Sequence, residues 1–243
     1  IIFDIGSSSV GAGLVIFVPN GEPKLLYNTR VSIALQQDLT FAKFFDSMLV
    51  ALKKAAENVQ SEGLAKFQKE LPRKVEDVYC IFSSPWYVSQ TKILHYSSGG
   101  PTKVTKKLVD TLVEKFTEEF KHSSLAKRAL QINDQAELIE KRIIQIRLNG
   151  YETRDPYEKE ATDVEVSLFT SIVSKEVSTK VKEFLYATFN SKHIELHSFS
   201  LSAFSAIRDV VGSSHDFLFL DVGGEVTDIS LIRKGILLET ISV

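Results

Sequence analysis

Two aspartates, Asp4 and Asp221, each sit at the end of a short apolar run and just ahead of glycine. The first context is Ile1-Ile-Phe-Asp4-Ile-Gly6-Ser-Ser-Ser-Val10, the second Phe217-Leu-Phe-Leu-Asp221-Val-Gly-Gly-Glu-Val-Thr227. A carboxylate at the mouth of a strand can orient metal-bound water, and neighbouring glycines let the backbone approach and donate N–H groups to oxygens. Together these suit a magnesium-bound phosphate chain. One such aspartate alone is an ordinary strand-end residue, and its glycines an ordinary tight turn. It is the repetition, far apart in one chain, that singles out Asp4, Gly6, Ser7, Ser8 and Ser9 on one side and Asp221, Gly223, Gly224, Glu225 and Thr227 on the other.

The elements that must hold these residues read as a duplicated meander. After Asp4 the pattern predicts a strand over Val10–Val18, a turn at Pro19-Asn20-Gly21 and a strand over Lys24–Val31. After Asp221 a second apolar segment, the turn Arg233-Lys234-Gly235 and a third segment complete another three strands. The four apolar residues 217–220 read as a strand buried on both faces. Between the meanders, Phe41, Phe44, Phe45, Met48, Leu52, Ala55 and Val59 recur at helical steps behind Thr40 as N-cap. A shorter helix over Leu64–Leu71, stopped by Pro72, and a strand over Val75–Phe82 follow.

Ser83-Ser-Pro85 breaks this pattern. Trp86–Tyr96 reads as extended, 97–101 as a loop, and Thr102–Lys121 as an amphipathic helix with Val104, Leu108, Leu112, Phe116 and Phe120 spaced by four. A polar region (122–138) leads to alternating strands around Ile144–Leu148 and Val164–Leu168, either side of a turn at Asn149-Gly150. Ser174 heads a helix to Phe189; a strand His193–Phe199 and a helix Leu201–Val211 complete the stretch.

In this order the chain resembles the actin, sugar-kinase and heat-shock-chaperone superfamily. "DIGSSSV" is similar to its first phosphate motif and "LDVGGEVTDISLI" to its second. The strand–helix–strand–strand stretch, with "LNGYETRDP", resembles the subdomain inserted in the bacterial cell-division actin homologue FtsA. The resemblance implies an α/β, actin-like (ribonuclease H-like) core with that subdomain inserted. Residues 1–85 and 162–214 would form subdomain 1A, 86–161 the insertion (1C), and 215–243 the start of a second half. It further implies ATP and Mg, the metal held by Asp4 and Asp221 through water. Partners would be like subunits in a filament or dimer, and a tubulin-like division protein. The setting would be cytoplasmic and peripheral at the inner membrane, reached through a segment beyond Val243. Two alternatives stay open: a PilM-like pilus-assembly platform that binds a pilus membrane protein, and a sugar-kinase-branch phosphotransferase.

Three departures from the family pattern bear on catalysis. FtsA proteins carry a lysine where this chain has Ser9, and PilM-like proteins one where it has Gly11. Glu225-Val226 replaces Gly-Thr in the second motif. Ser200 stands at the water-positioning place. Slow hydrolysis at most is the expectation, with Glu225 as an adapted base the alternative.

With 44% hydrophobic and 25% charged residues and a net charge of −2, the 243-residue chain has no basic surplus to suggest nucleic acid. A lone Cys80 excludes an internal disulfide. The chain begins inside one strand and stops inside another, which reads as a piece cut at both ends. Gly6–Gly11 lacks the Lys-[Ser/Thr] of a Walker loop, the five histidines have no metal-ligand spacing, and no Gly-x-Ser-x-Gly elbow occurs.

Overall fold

A computed structural model describes the chain except residues 19–20, 35–39, 72–73, 131–134 and 213–215 and the side chains of 128 and 129. The turn residues Pro19 and Asn20, the stop at Pro72 and His215 therefore lie outside the described residues. β1 (Ile2–Ile5) alternates, with Phe3 and Ile5 fully buried and Asp4 on the other face. β2 (Ser9–Ile16) and β3 (Lys24–Ser32) return antiparallel. α1 (Phe41–Asn58) starts at Thr40, whose hydroxyl accepts the Lys43 N–H, and buries Phe44, Phe45, Met48 and Leu52. A π-helical turn (Val59–Leu64) continues α1, and of the helix expected over Leu64–Leu71 only residues 65–66 are helical before turns at 67–70. At its Gly63 any Cβ would meet the Tyr27 ring at 3.0 Å. β4 (Asp77–Phe82) then pairs parallel with β1.

β5 (Tyr87–Lys103) runs through the expected loop at 97–101 as a bulge, with Thr102 and Lys103 still paired to Ala161 and Glu160. This ladder delays α2 to Lys106–Lys121, where the Thr105 hydroxyl caps Leu108 N–H. The buried face of α2 is Val109, Val113, Phe116, Thr117 and Phe120, so the stripe is rotated from the expected one and Leu108 and Leu112 lie at its margin. α3 (Ser124–Ala129) and the start of β6 (Ala136–Leu148) occupy the region expected to be merely polar. Its charges are used: Glu137 accepts from Lys182 (2.6 Å) and Ser178 (2.5 Å). Glu140 accepts from Ser171 Oγ (2.7 Å), Ser198 N–H (3.0 Å) and Ser198 Oγ, and meets His197 Nδ1 at 3.1 Å. β7 (Tyr151–Glu152) is short, and β8 runs from Glu160 to Ser174, three times the length expected around Val164–Leu168. From Val166 to Ser174 every residue of β8 is buried, as for a strand covered on both faces.

α4 (Lys175–Phe189) ends on Asn190 in the left-handed region and leads to β9 (His193–Ser198), parallel to β4. α5 (Phe199–Val211) precedes the second meander, β10 (Phe217–Val222), β11 (Thr227–Arg233) and β12 (Ile236–Ser242). The sheets are ordered β3-β2-β1-β4-β9, β5-β8-β6-β7 and β10-β11-β12. An antiparallel meander followed by two parallel strands makes the first a mixed sheet of the ribonuclease H-like kind. The expected burial of β10 on both faces is not what this chain provides: Leu218, Leu220 and Val222 are exposed while Phe217 and Phe219 pack inward.

Candidate functional site

Both candidate loops are built the same way. Ile5 pairs with Val10 and Val222 with Thr227, so each hairpin has a four-residue turn. In each, the leading glycine N–H donates to the carbonyl three residues on, Gly6 to Ser9 and Gly223 to Val226, both at 3.0 Å. Those two N–H groups, expected to face phosphates, close their own turns instead. Gly6 is tied further, its carbonyl accepting Trp86 Nε1–H at 2.8 Å; Trp86 is buried and stacks on Phe44.

The two turns, more than 200 residues apart in sequence, touch. Ser7 is buried, and its hydroxyl accepts the N–H of Gly224 (2.9 Å) and of Glu225 (3.1 Å). Ser8, exposed at the tip, lies against Gly224 so closely that a Cβ there would come within 2.5 Å of Ser8 Cβ. Two adjacent backbone N–H groups converging on one oxygen form an anion-binding nest. Here a serine oxygen fills it.

Across the first meander, Asp4, Gly11 and Arg30 are directly opposite one another on β1, β2 and β3. Gly11 has no side chain, and Arg30 lies across the gap. Its Nη2 reaches Asp4 Oδ2 at 2.7 Å and its Nη1 donates to Ser9 Oγ at 2.8 Å. A Cβ at Gly11 would be 2.9 Å from Nη2. The sequence, read for a lysine at Ser9 or Gly11, places no cation here; the third strand supplies one.

The second meander sets Asp221 opposite Asp228. Asp228 is buried and accepts from Ser84 Oγ (2.7 Å) and Ser242 Oγ (2.6 Å). Asp221 is half-buried, and its carboxyl is held above the usual carboxylate range, first by burial, then by the Asp228 carboxylate, with Asp4 adding to it and a Ser83 hydrogen bond opposing. Asp228 is not among the residues singled out by the sequence pattern, yet counting across the four-residue turn from Asp221 reaches it. Tyr87, below the acids, is pushed up chiefly by burial and then by Asp228, and its hydroxyl oxygen accepts the Ser200 N–H at 3.3 Å. Ser200 itself is buried, with a hydroxyl that has no partner among the described residues. Thr227 exchanges backbone bonds with Val243, and Glu225 is exposed.

These residues fit a phosphate chain in kind. The nest at Gly224 and Glu225 takes an oxygen already, and the first hairpin, which supplies that oxygen, carries a guanidinium on Asp4 and Ser9. For a magnesium ion the fit is narrower. No group of three or more His, Cys, Asp or Glu that could hold a metal occurs among the described residues. Asp4 and Asp221 suit an ion that keeps its water shell and is held chiefly by phosphate, the usual habit of Mg²⁺.

No family model matches the chain and no curated protein resembles it. Among solved structures, it is similar to a chain of the PilM–PilN type IV pilus biogenesis complex at 16% identity and a TM-score of 0.58, over 99% of this chain and 60% of that one. It is also similar, at 10% identity and a TM-score of 0.46, to a Bacteroides thetaiotaomicron protein with an actin-like ATPase fold and unknown function, over 100% of this chain and 68% of that one. An exopolyphosphatase from Cytophaga hutchinsonii matches at 12% identity and 0.41, over 100% and 49%. The fold is that of the actin-like ATPases, and the chain spans about 60% of the length of the PilM–PilN complex chain it matches.

Proposed function

We propose that this protein is an ATP-binding, actin-like scaffold whose two hairpin turns close on the phosphates of Mg·ATP. The observation that carries the reading is the meeting of the turns at Ser7, Gly224 and Glu225, with Asp4 and Asp221 at the strand ends behind them. In the proposed complex Asp4 and Asp221 would hold a magnesium ion through water, and the ion would supply positive charge to offset that of the phosphates. The N–H groups of Gly224 and Glu225 receive an oxygen in place of Ser7.

Turnover is slow in this reading. A buried Ser200 is neither acid nor amide, and each missing transition-state donor commonly costs about 10²–10³ in rate. Residues 86–161 serve contact with a partner, and the charged outer side of α2 at Lys106, Lys107, Asp110, Glu114 and Glu118 is the part offered to it. Among partners, the likeness to PilM favours a pilus-assembly platform that binds a membrane protein at the inner face of a bacterial membrane. The cell-division reading, with a tubulin-like partner and filaments of like subunits, has no comparable observation in its favour. No described helix is long and apolar enough to cross a membrane.

Calorimetric titration of the intact protein and its Asp221→Ala variant with Mg·ATP tests the core of this proposal. Wild-type binding with a clear loss in the variant is expected; equal affinity in both removes the site. Turnover of about 1 per second or more, an ordinary enzyme rate, defeats the scaffold reading.

A further inference from the structure

We propose that Arg30 is the phosphate-binding cation of this site, held in place by Asp4 and Ser9 across the gap at Gly11. The inference rests on the phosphate-binding reading above and names the residue through which a di- or triphosphate is recognised.

The geometry supplies three arguments. First, charge: Asp4, Asp221 and Asp228 bring three carboxylates to the two hairpins, and Asp221 feels both of the others. A cation is needed to offset the repulsion between a polyphosphate and such a cluster, and among the described residues Arg30 is the one that forms an ion pair with it. Second, reach: the Arg30 side chain is 59% exposed and that of its anchor Asp4 40%, so the pair lies at the surface of the cluster. The fork spends one N–H on Asp4 and one on Ser9. Its remaining N–H groups bond to no described residue. Arginine forks bind phosphate through paired donors, and exchanging the neutral Ser9 hydroxyl for a phosphate oxygen leaves the Asp4 bond intact. Third, the gap: Gly11 is open to the extent of one side chain, and Arg30 fills it. With any larger residue at 11 the fork would be displaced from Asp4.

A consequence separates this assignment from a metal-centred one. Asp4 then holds Arg30 beside the place where it would orient magnesium-bound water, and the charge of the fork does not depend on the metal. Polyphosphate binding should therefore persist, weakened, when magnesium is chelated.

The test titrates the intact protein with ATP and with inorganic tripolyphosphate by calorimetry, each with magnesium and with EDTA. Arg30→Met is expected to bind both about 10- to 100-fold more weakly, as for a lost charged hydrogen bond, with a shallower dependence on salt. Arg30→Lys should fall between. In an Arg30→Ala background, Gly11→Lys places an ammonium in the vacated gap from the neighbouring strand and should recover affinity to within about tenfold of wild type. A purely structural role for Arg30 predicts no such recovery. If the wild type binds both ligands and Arg30→Met binds equally well, the assignment of Arg30 is overturned while nucleotide binding stands. Loss in Arg30→Met without recovery by Gly11→Lys likewise overturns it. If the wild type binds neither ligand, the function proposed above fails and takes this inference with it.

Discussion

Replacing Ser7 by alanine removes one oxygen and leaves the packing of its Cβ intact. In the structure that oxygen holds the two hairpins together through the N–H groups of Gly224 and Glu225. Each neutral hydrogen bond is worth about 0.5–1.5 kcal/mol net. Gly224 and Glu225 are both exposed, so water takes over their freed N–H groups and the lower end applies, about 1 kcal/mol for the pair. In the proposed complex a phosphate oxygen takes the same two donors, so that energy would oppose binding. Its removal should tighten Mg·ATP binding about fivefold, at about 1.4 kcal/mol per factor of ten. The unliganded protein should melt about 2–4 °C lower. Calorimetry and thermal unfolding of the intact protein, wild type and Ser7→Ala, read both effects. Weaker binding in Ser7→Ala would refute the reasoning, since it would make the hydroxyl a ligand to ATP rather than its placeholder. Unchanged binding beside a lowered melting point would show that the closed pair of turns does not lie on the binding route.

Gly224→Ala would set a Cβ 2.5 Å from that of Ser8 and should cost about 1–3 kcal/mol by overpacking, read as a lower unfolding midpoint, whereas Gly99→Ala, with nothing within 4 Å, should be neutral. Asp221→Asn should raise the stability of the unliganded protein at pH 7 by up to about 1 kcal/mol, since like charges stand directly opposite across the strands. The carboxyl is held above its ordinary 3.8, so wild-type stability is full below that value and falls as pH rises through the raised one; the advantage of Asn should vanish near pH 3. His197 is held above its ordinary 6.5, first by its hydrogen bond to Glu140, so its contribution is complete below pH 6.5 and lost as pH rises through the raised value. Urea midpoints of wild type should fall between pH 6 and 9, and those of His197→Gln should stay level.

Much of the central sheet is legible in the sequence because its signals are local. Strand, aspartate, glycine and turn sit within ten residues of one another, and the helical spacing of Phe44, Phe45, Met48 and Leu52 gives α1 directly. The site is only half legible. Asp4 and Asp221 announce themselves, but Arg30 reaches Asp4 over an intervening strand, and only the register of β1, β2 and β3 reveals the alignment. The Ser7 contact joins positions more than 200 apart and leaves no pattern at all. β8 exceeds its expected length because Ser167, Thr170, Ser171 and Ser174 look like a polar interruption in the sequence, whereas all four are buried. The charged residues that conceal β6 are matched by side chains from α4, β8 and β9, which periodicity cannot see.

The length of β8 has a mechanical side. At about 3.3 Å per residue, its 15 residues make a beam of roughly 50 Å. One end carries Val164, Val166 and Leu168 under α2 and α3; Phe169 enters the cluster of α5 and the second meander; Val173 lies in the core of the first. β5 and β6 clamp the beam on both edges along most of its course. β8 itself is one continuous strand, and the register shifts lie in its partners at Ser97/Thr102 of β5 and at Leu138/Glu140 and Ile143/Gln145 of β6. A torque applied at α2 and α3 would be carried along this strand to the core of the second meander at Phe169 and to that of the first at Val173.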